Sequence, residues 1–265
     1  MIARASGNNL RINLQPAYVM HSRPYRDSSA LLDVFTAEYG RISLVARGMR
    51  RQSRRGSGAA LLQPFIPLLL SFSGRSELKT LLAIESVQGV LTLRGERMFS
   101  GMYMNELMVR LLHRNDAHPV LFSVYDQALK ALAGSAVVDT VLRRFEFSLL
   151  DELGYSFSLT IDGASGLDVQ STLWYRYDPA FGLVASGAAI DRSTTGFLGA
   201  DLLAMAAGEF AGAVRLPAKQ LLREALAAHL GDAPLRSREL FRAAREPVAA
   251  RLSPATDSSR VGGQS

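Results

Sequence analysis

The sequence predicts an α+β protein in two parts, a small five-stranded β-barrel followed by a mainly α-helical domain. Three observations predict it. Five short β-type runs separated by turn residues fill positions 17–88, the apolar period changes from two to about 3.6 beyond Gly89, and glycine or proline stands at several of the boundaries.

The β-type runs are 17–22 (AYVMHS), 30–36 (ALLDVFT), 41–46 (RISLVA), 63–73 (QPFIPLLLSFS) and 77–86 (ELKTLLAIES). Glu38-Tyr39-Gly40-Arg41 joins the second to the third, and Ser73-Gly74-Arg75-Ser76 the fourth to the fifth. Each has a glycine able to take a positive φ in a tight hairpin. Pro64 and Pro67 mark an edge or a bulge at the start of the fourth run. Five strands in this space fit an oligonucleotide-binding barrel, the OB-fold. An SH3-like barrel fits nearly as well, since both are five-stranded barrels of this length. Residues 1–16 precede the barrel as an extension with no assigned function.

Positions 89–252 are expected to form the helical domain. Phe99, Tyr103, Leu107 and Leu111, with Met104, Met108 and Leu112 beside them, give an amphipathic helix over 96–113. A second helix is expected over 119–133. A third carries the stripe Val141, Phe145, Leu149, Leu153 and is closed by Gly154. Over 155–190 the helical period is lost. There YRYD (175–178) and GLVAS (182–186), parted by Pro179 and Gly182, read as an inserted β-hairpin. Helices resume near Leu198, Pro217 and Ser237, and Pro217 suits a first turn, where a missing N–H is no loss. The polar, glycine-rich residues 253–265 read as a disordered tail.

Composition narrows the chemistry. The chain has no cysteine, which excludes disulfides, thiolate-bound zinc, iron–sulfur clusters and thiol nucleophiles. Its four histidines, His21, His113, His118 and His229, include no i, i+4 pair for a metal. Phosphate-loop, dinucleotide, zinc-protease and nucleophile-elbow signatures are absent, and the carboxylates are scattered apart from Asp151-Glu152. A non-enzymatic protein without cofactor or metal is expected. No run of eighteen apolar residues and no signal-type start occur, so a soluble, cytoplasmic protein is expected, with no membrane partner.

Charge is the most informative property. The formal net charge is +6, yet residues 1–80 carry +8 and the remainder −2. Five arginines, Arg47, Arg50, Arg51, Arg54 and Arg55, crowd the segment between the third and fourth strands, which ends in Gly56 and Gly58. Arg23, Arg26, Arg41, Arg75 and Lys79 add to them from the barrel. Cations massed in this way neutralise phosphates and release counterions, the footprint of a nucleic-acid binder, although an acidic membrane would attract them too. Tyr25 and Tyr39 lie among these arginines and suit base stacking, or ordinary packing equally well.

Longer strings add a resemblance. HSRPYRDSSALLDVFTAEYGRISLVARGMRR, LQPFIPLLLSFSGRSELKTL, YMNEL, LRRFEFSLLDELGY and PLRSRELFR occur in an order and at separations similar to the RecO family, over residues 17–245. The resemblance implies a recombination mediator that binds single- and double-stranded DNA and anneals strands. With RecR it would help RecA load onto DNA coated by single-stranded-DNA-binding protein, whose acidic, apolar C-terminal tail it would dock. On this likeness Arg23, Arg26, Arg41, Arg47, Arg50 and Arg51 become phosphate contacts, while Arg143, Arg144, Leu142 and Phe145 are candidates for the tail site. Some relatives carry a four-cysteine zinc module, expected near 160–171, which this chain cannot form. Two other readings fit barrel plus arginine loop: an RNA-binding protein of ribosome or tRNA metabolism, and an adaptor whose loop meets an acidic protein.

Overall fold

The computed structural model describes residues 11–26, 28–47, 58–87, 91–186 and 196–245. Five strands, β1 (Arg11–Tyr25), β2 (Ser29–Thr36), β3 (Gly40–Ala46), β4 (Leu68–Ser73) and β5 (Leu78–Ser86), close into a barrel in the order β1-β2-β3-β5-β4. Its neighbours are antiparallel except β3 and β5, which run parallel over Ser43–Val45 and Leu78–Thr80. This crossover is the Greek-key connectivity of the OB-fold, and it decides between the two barrels that strand count left open. Alternate residues Val19, Leu32, Val34, Ile42, Leu44, Leu68, Leu70 and Phe72 fill the interior, as the two-residue strand period requires.

Two strands depart from the expected bounds. β1 begins at Arg11, so 11–16 belong to the barrel rather than to an extension. The first half of β1 pairs with β4 and the second half with β2, and a bulge between Val19 and His21 bends it from one partner to the other. The string RINLQP does not alternate, which hid the first half. β4 in turn starts at Leu68 instead of 63. Pro64 and Pro67 have no N–H to give a ladder, Phe65 takes a φ of 70°, and a 3-10 turn occupies Gly58–Leu61.

The helical part contains α1 (Glu96–Leu111), α2 (Pro119–Ala133) and α3 (Val138–Glu152), then α4 (Gly199–Ala206), α5 (Arg215–Leu230) and α6 (Arg236–Arg245). α1 stops two residues short of its expected end. Gly154 follows α3 at a φ of 77°, the left-handed position expected past a helix end. The inserted hairpin, β6 (Trp174–Asp178) and β7 (Gly182–Ala185), gains a third strand, β8 (Phe197–Leu198), and the sheet packs Tyr175, Leu183 and Phe197 against Leu202 and Leu221.

The residues at 158–171 do not fit a zinc module, and a carboxylate ties the loop instead. Asp162 Oδ1 accepts the N–H groups of Ala164 (2.9 Å) and Ser165 (3.1 Å), while Oδ2 accepts that of Ala185 on β7 (3.0 Å). Burial would raise its carboxyl, but these donors hold it below the ordinary value.

Barrel and helices share one core. Tyr18, Met20 and Phe35, on the barrel's outer face, pack with Leu121 and Tyr125 of α2, and Tyr18 donates to Asp126 Oδ1 at 2.7 Å. Asn105 Nδ2 donates to the Met20 carbonyl. β5 leaves the first residues of β3 unpaired on the side away from β2, and the α1–α2 loop takes that edge: Arg114 bridges Arg41 in parallel, and Asn115 N–H donates to the Arg41 carbonyl at 2.8 Å. Gly40 permits the approach. Its φ is 60°, and a Cβ there would stand 1.6 Å from the Asp116 carbonyl oxygen.

Candidate nucleic-acid interface and peptide pocket

Strand register places the barrel cations. Arg23 lies opposite Leu31, Leu31 opposite Val45, and Asp33 opposite Ser43, so these side chains share the outer face of β1, β2 and β3. The helical domain covers this face where Tyr18, Met20 and Phe35 stand. At the other end the face is open. There Tyr25, Arg26 and Ser29 from the β1–β2 turn, Val45 and Arg47 from the end of β3, and Thr80 from β5 line a groove. Arg23, Arg26 and Arg47 are exposed. The Arg26 guanidinium stands over the Tyr25 ring, 5.2 Å from its centroid, which holds cation and aromatic side by side.

Three of the expected contacts are not exposed cations of this groove. Arg41 is 11% exposed, donates from Nε and Nη2 to the two oxygens of Asp33 at 3.0 and 2.8 Å, and gives Nη1 to the carbonyls of Val109 and Leu112. A guanidinium so occupied joins barrel to helices instead of meeting phosphate. Lys79 lines the groove but is buried, its Nζ held by Asn115 Oδ1 (2.7 Å) and the Ser76 carbonyl (3.3 Å). Desolvation lowers its pKa. Arg75 is exposed in the β4–β5 turn, outside the groove lining. Tyr39 packs edge-on against Phe72, a core role. Arg50, Arg51, Arg54 and Arg55 lie outside the described residues.

The helical domain holds a different kind of site. Tyr103 of α1, Leu142 and Arg143 of α3, Lys219 and Arg223 of α5 and Phe241 of α6 surround a cavity of about 250 Å³. Arg143 is 4% exposed and gives Nη2 to Glu146 Oε1 at 2.6 Å, an oxygen that also accepts the Tyr103 hydroxyl at 2.7 Å. Its Nε and Nη1 are buried with no hydrogen-bond partner among the described residues. Unmet buried polar atoms cost about 1–3 kcal/mol each. Glu146 Oε2 likewise has no hydrogen-bond partner among the described residues, and Glu96 and Asp139 also line the cavity, so a ligand there would meet donors on Arg143 beside carboxylates.

The four residues proposed for the tail therefore separate. Leu142 and Arg143 face this cavity, whereas Arg144 and Phe145 line a separate groove between α2 and α3, where Phe145 packs on Tyr125. Adjacent helical positions point apart by about 100°, so one pocket could not take all four. Lys219, Arg223 and Phe241 were missed. The i, i+4 spacing of Lys219 and Arg223 was a usable signal, but nothing local announced that α5 and α6 fold back onto α3. Among the described residues no group of three or more His, Asp or Glu could hold a metal ion, and no helix is long and apolar enough to cross a membrane.

Comparison with known proteins agrees with this architecture. The family profile for the N-terminal part of Recombination protein O matches residues 11–90, and that for its C-terminal part residues 93–239. The chain is 47% identical over 229 residues to the DNA repair protein RecO of Stutzerimonas stutzeri, covering 86% of this chain and 92% of that one. It is 45% identical over 233 residues to the protein of the same name from Nitrosococcus oceani, covering 88% and 94%. With that of Escherichia coli O9:H4 the identity is 46% over 230 residues, covering 86% and 93%.

Proposed function

The chain belongs to the RecO family, and from that premise we propose that it acts in DNA repair and recombination as a mediator holding two partners at once. Single- or double-stranded DNA lies on the open outer face of the barrel, against Arg23, Arg26 and Arg47. The helical pocket takes the C-terminal tail of single-stranded-DNA-binding protein. Its terminal carboxylate meets the buried Arg143, its apolar end packs on Leu142 and Phe241, and its acidic residues face Lys219 and Arg223 at the rim. The observation that carries this reading is the buried Arg143 guanidinium, whose Nε and Nη1 have no hydrogen-bond partner among the described residues and stand beside a cavity.

Holding both partners on one chain raises the effective concentration of each for the other, so weak contacts suffice. Annealing, and with RecR the loading of RecA, follow as binding functions that require no catalytic residue. The test is a pair of fluorescence-anisotropy titrations over a salt series. One uses a labelled single-stranded oligonucleotide, the other a labelled acidic peptide with an apolar end and a free C-terminal carboxylate. The oligonucleotide is expected to bind with a steep salt dependence and the peptide with a shallow one. A peptide that fails to bind, or binds equally well as its C-terminal amide, would remove the tail site.

A further inference from the structure

We infer that Arg114, from the helical domain, belongs to the same phosphate-binding face as Arg26 and Arg47 of the barrel. The inference rests on the proposed DNA-binding role of that face and adds a contact from the second domain. The α1–α2 loop runs beside β3 where β5 has not yet begun, so Arg114 sits in the barrel wall as a strand residue would. Its guanidinium lies on the outer face, donating to Ser43 Oγ and, at 3.3 Å, to Asp33 Oδ2. From Ser43 the outward row of β3 continues through Val45 to Arg47, roughly 13 Å away at strand spacing.

Charge completes the argument. Asp33 already binds Arg41 through both oxygens, so one carboxylate serves two guanidiniums and the cluster keeps a positive charge. Arg114 carries that charge at the surface, with its side chain 39% exposed against 11% for Arg41. The other acid of the loop, Asp116, is 61% exposed and points to His118 on the helical side, 3.6 Å from Nε2, so it offsets part of the loop's charge. Lys79, tied to the neighbouring Asn115, adds a cation at the same junction. A single strand crossing the groove from Arg26 would thus pass over the seam between the domains and touch both.

The experiment measures single-stranded oligonucleotide affinity over a salt series for the full chain and for Arg114→Ala, Arg114→Lys and the Arg26→Ala/Arg47→Ala double variant. Arg114→Ala is expected to lower affinity several-fold and to flatten the slope of log K against log salt by about 0.7, one phosphate's worth. Arg114→Lys restores the slope, because a phosphate contact needs the charge and not the fork. If Arg114→Lys behaves like Arg114→Ala, or Arg114→Ala keeps the wild-type slope while the double variant loses it, Arg114 only braces the junction and the inference is overturned. A wild-type chain that binds no oligonucleotide would overturn the DNA-binding reading itself.

Discussion

The barrel face and the helical pocket both rely on arginine, under opposite physical conditions. Arg23, Arg26 and Arg47 stand in water on a strand surface, where each charge is screened and its contribution to binding a polyanion is small, additive and salt-dependent. Arg143 is buried among α1, α3, α5 and α6, where Glu146 fixes its position and an acceptor that reaches it must give up part of its water. An open face counts charges, so many weak contacts are interchangeable. A pocket built around one buried guanidinium is geometric, so that side chain decides whether a ligand binds. Single substitutions should therefore be graded on the barrel and close to all-or-none in the pocket.

The sharpest attempt to break this contrast is Arg143→Ala. It should abolish capture of the tail peptide and destabilise the chain by about 3 kcal/mol or more, because a buried ion pair with Glu146 is broken from one side. Chemical denaturation and peptide anisotropy measure the two effects separately. Replacing both partners, as Arg143→Met with Glu146→Leu, should recover much of the stability and none of the peptide binding. A recovered affinity would show that the guanidinium is not the anchor.

On the barrel the expected loss is smaller and divisible. Arg26→Ala with Arg47→Ala should weaken single-stranded oligonucleotide binding about tenfold near 0.1 M salt, at roughly 0.7 kcal/mol per exposed contact, and lower the salt slope by about 1.4. Unfolding should be unchanged, since both side chains are exposed. If either single variant alone removed all binding, the face would be acting as a pocket and the comparison would fail.

The two regions also differed in how much the sequence disclosed. Barrel strands alternate, so β2, β3 and β5 stand within a residue of their expected starts, and the cations could be picked out from local strings. What stayed hidden there was non-local. Arg41 and Lys79 look like Arg26 on paper, and only the docking of the α1–α2 loop turns them into internal ties. In the helical domain α2 and α3 were plain from their period, but the pocket is assembled from four helices far apart in the chain. Leu142 and Arg143 were reachable through one string, whereas Lys219, Arg223 and Phe241 required the tertiary fold. Asp162 shows the same limit, because its third donor, the Ala185 N–H, comes from across the loop.

The smallest predicted effect probes how the helical pocket depends on supports outside it. Glu106 of α1 accepts the N–H of Arg236 at 2.9 Å and both the N–H (2.8 Å) and the hydroxyl (2.6 Å) of Ser237, capping α6 from another helix. One turn along, Arg110 donates to the carbonyls of Leu230 and Ala233 at the end of α5. Together they clasp the turn that carries α6, and α6 places Phe241 against Phe99 and in the pocket wall. Glu106→Ala should cost about 1 kcal/mol, as loss of a helix cap does. It should weaken the tail peptide and leave the oligonucleotide unaffected. Burial would raise the Glu106 carboxyl, but the donors of Ser237 and Arg236 and the charge of Arg110 hold it below its ordinary 4.5. A depressed folded-state pKa means that the clasp's contribution is present in full above pH 4.5 and is lost as pH falls through the folded value. The stability difference between wild type and Glu106→Ala should accordingly hold steady from about pH 7 to 5 and shrink below 4.5. Curves that stayed parallel at lower pH would show that the carboxylate's charge contributes nothing to the clasp.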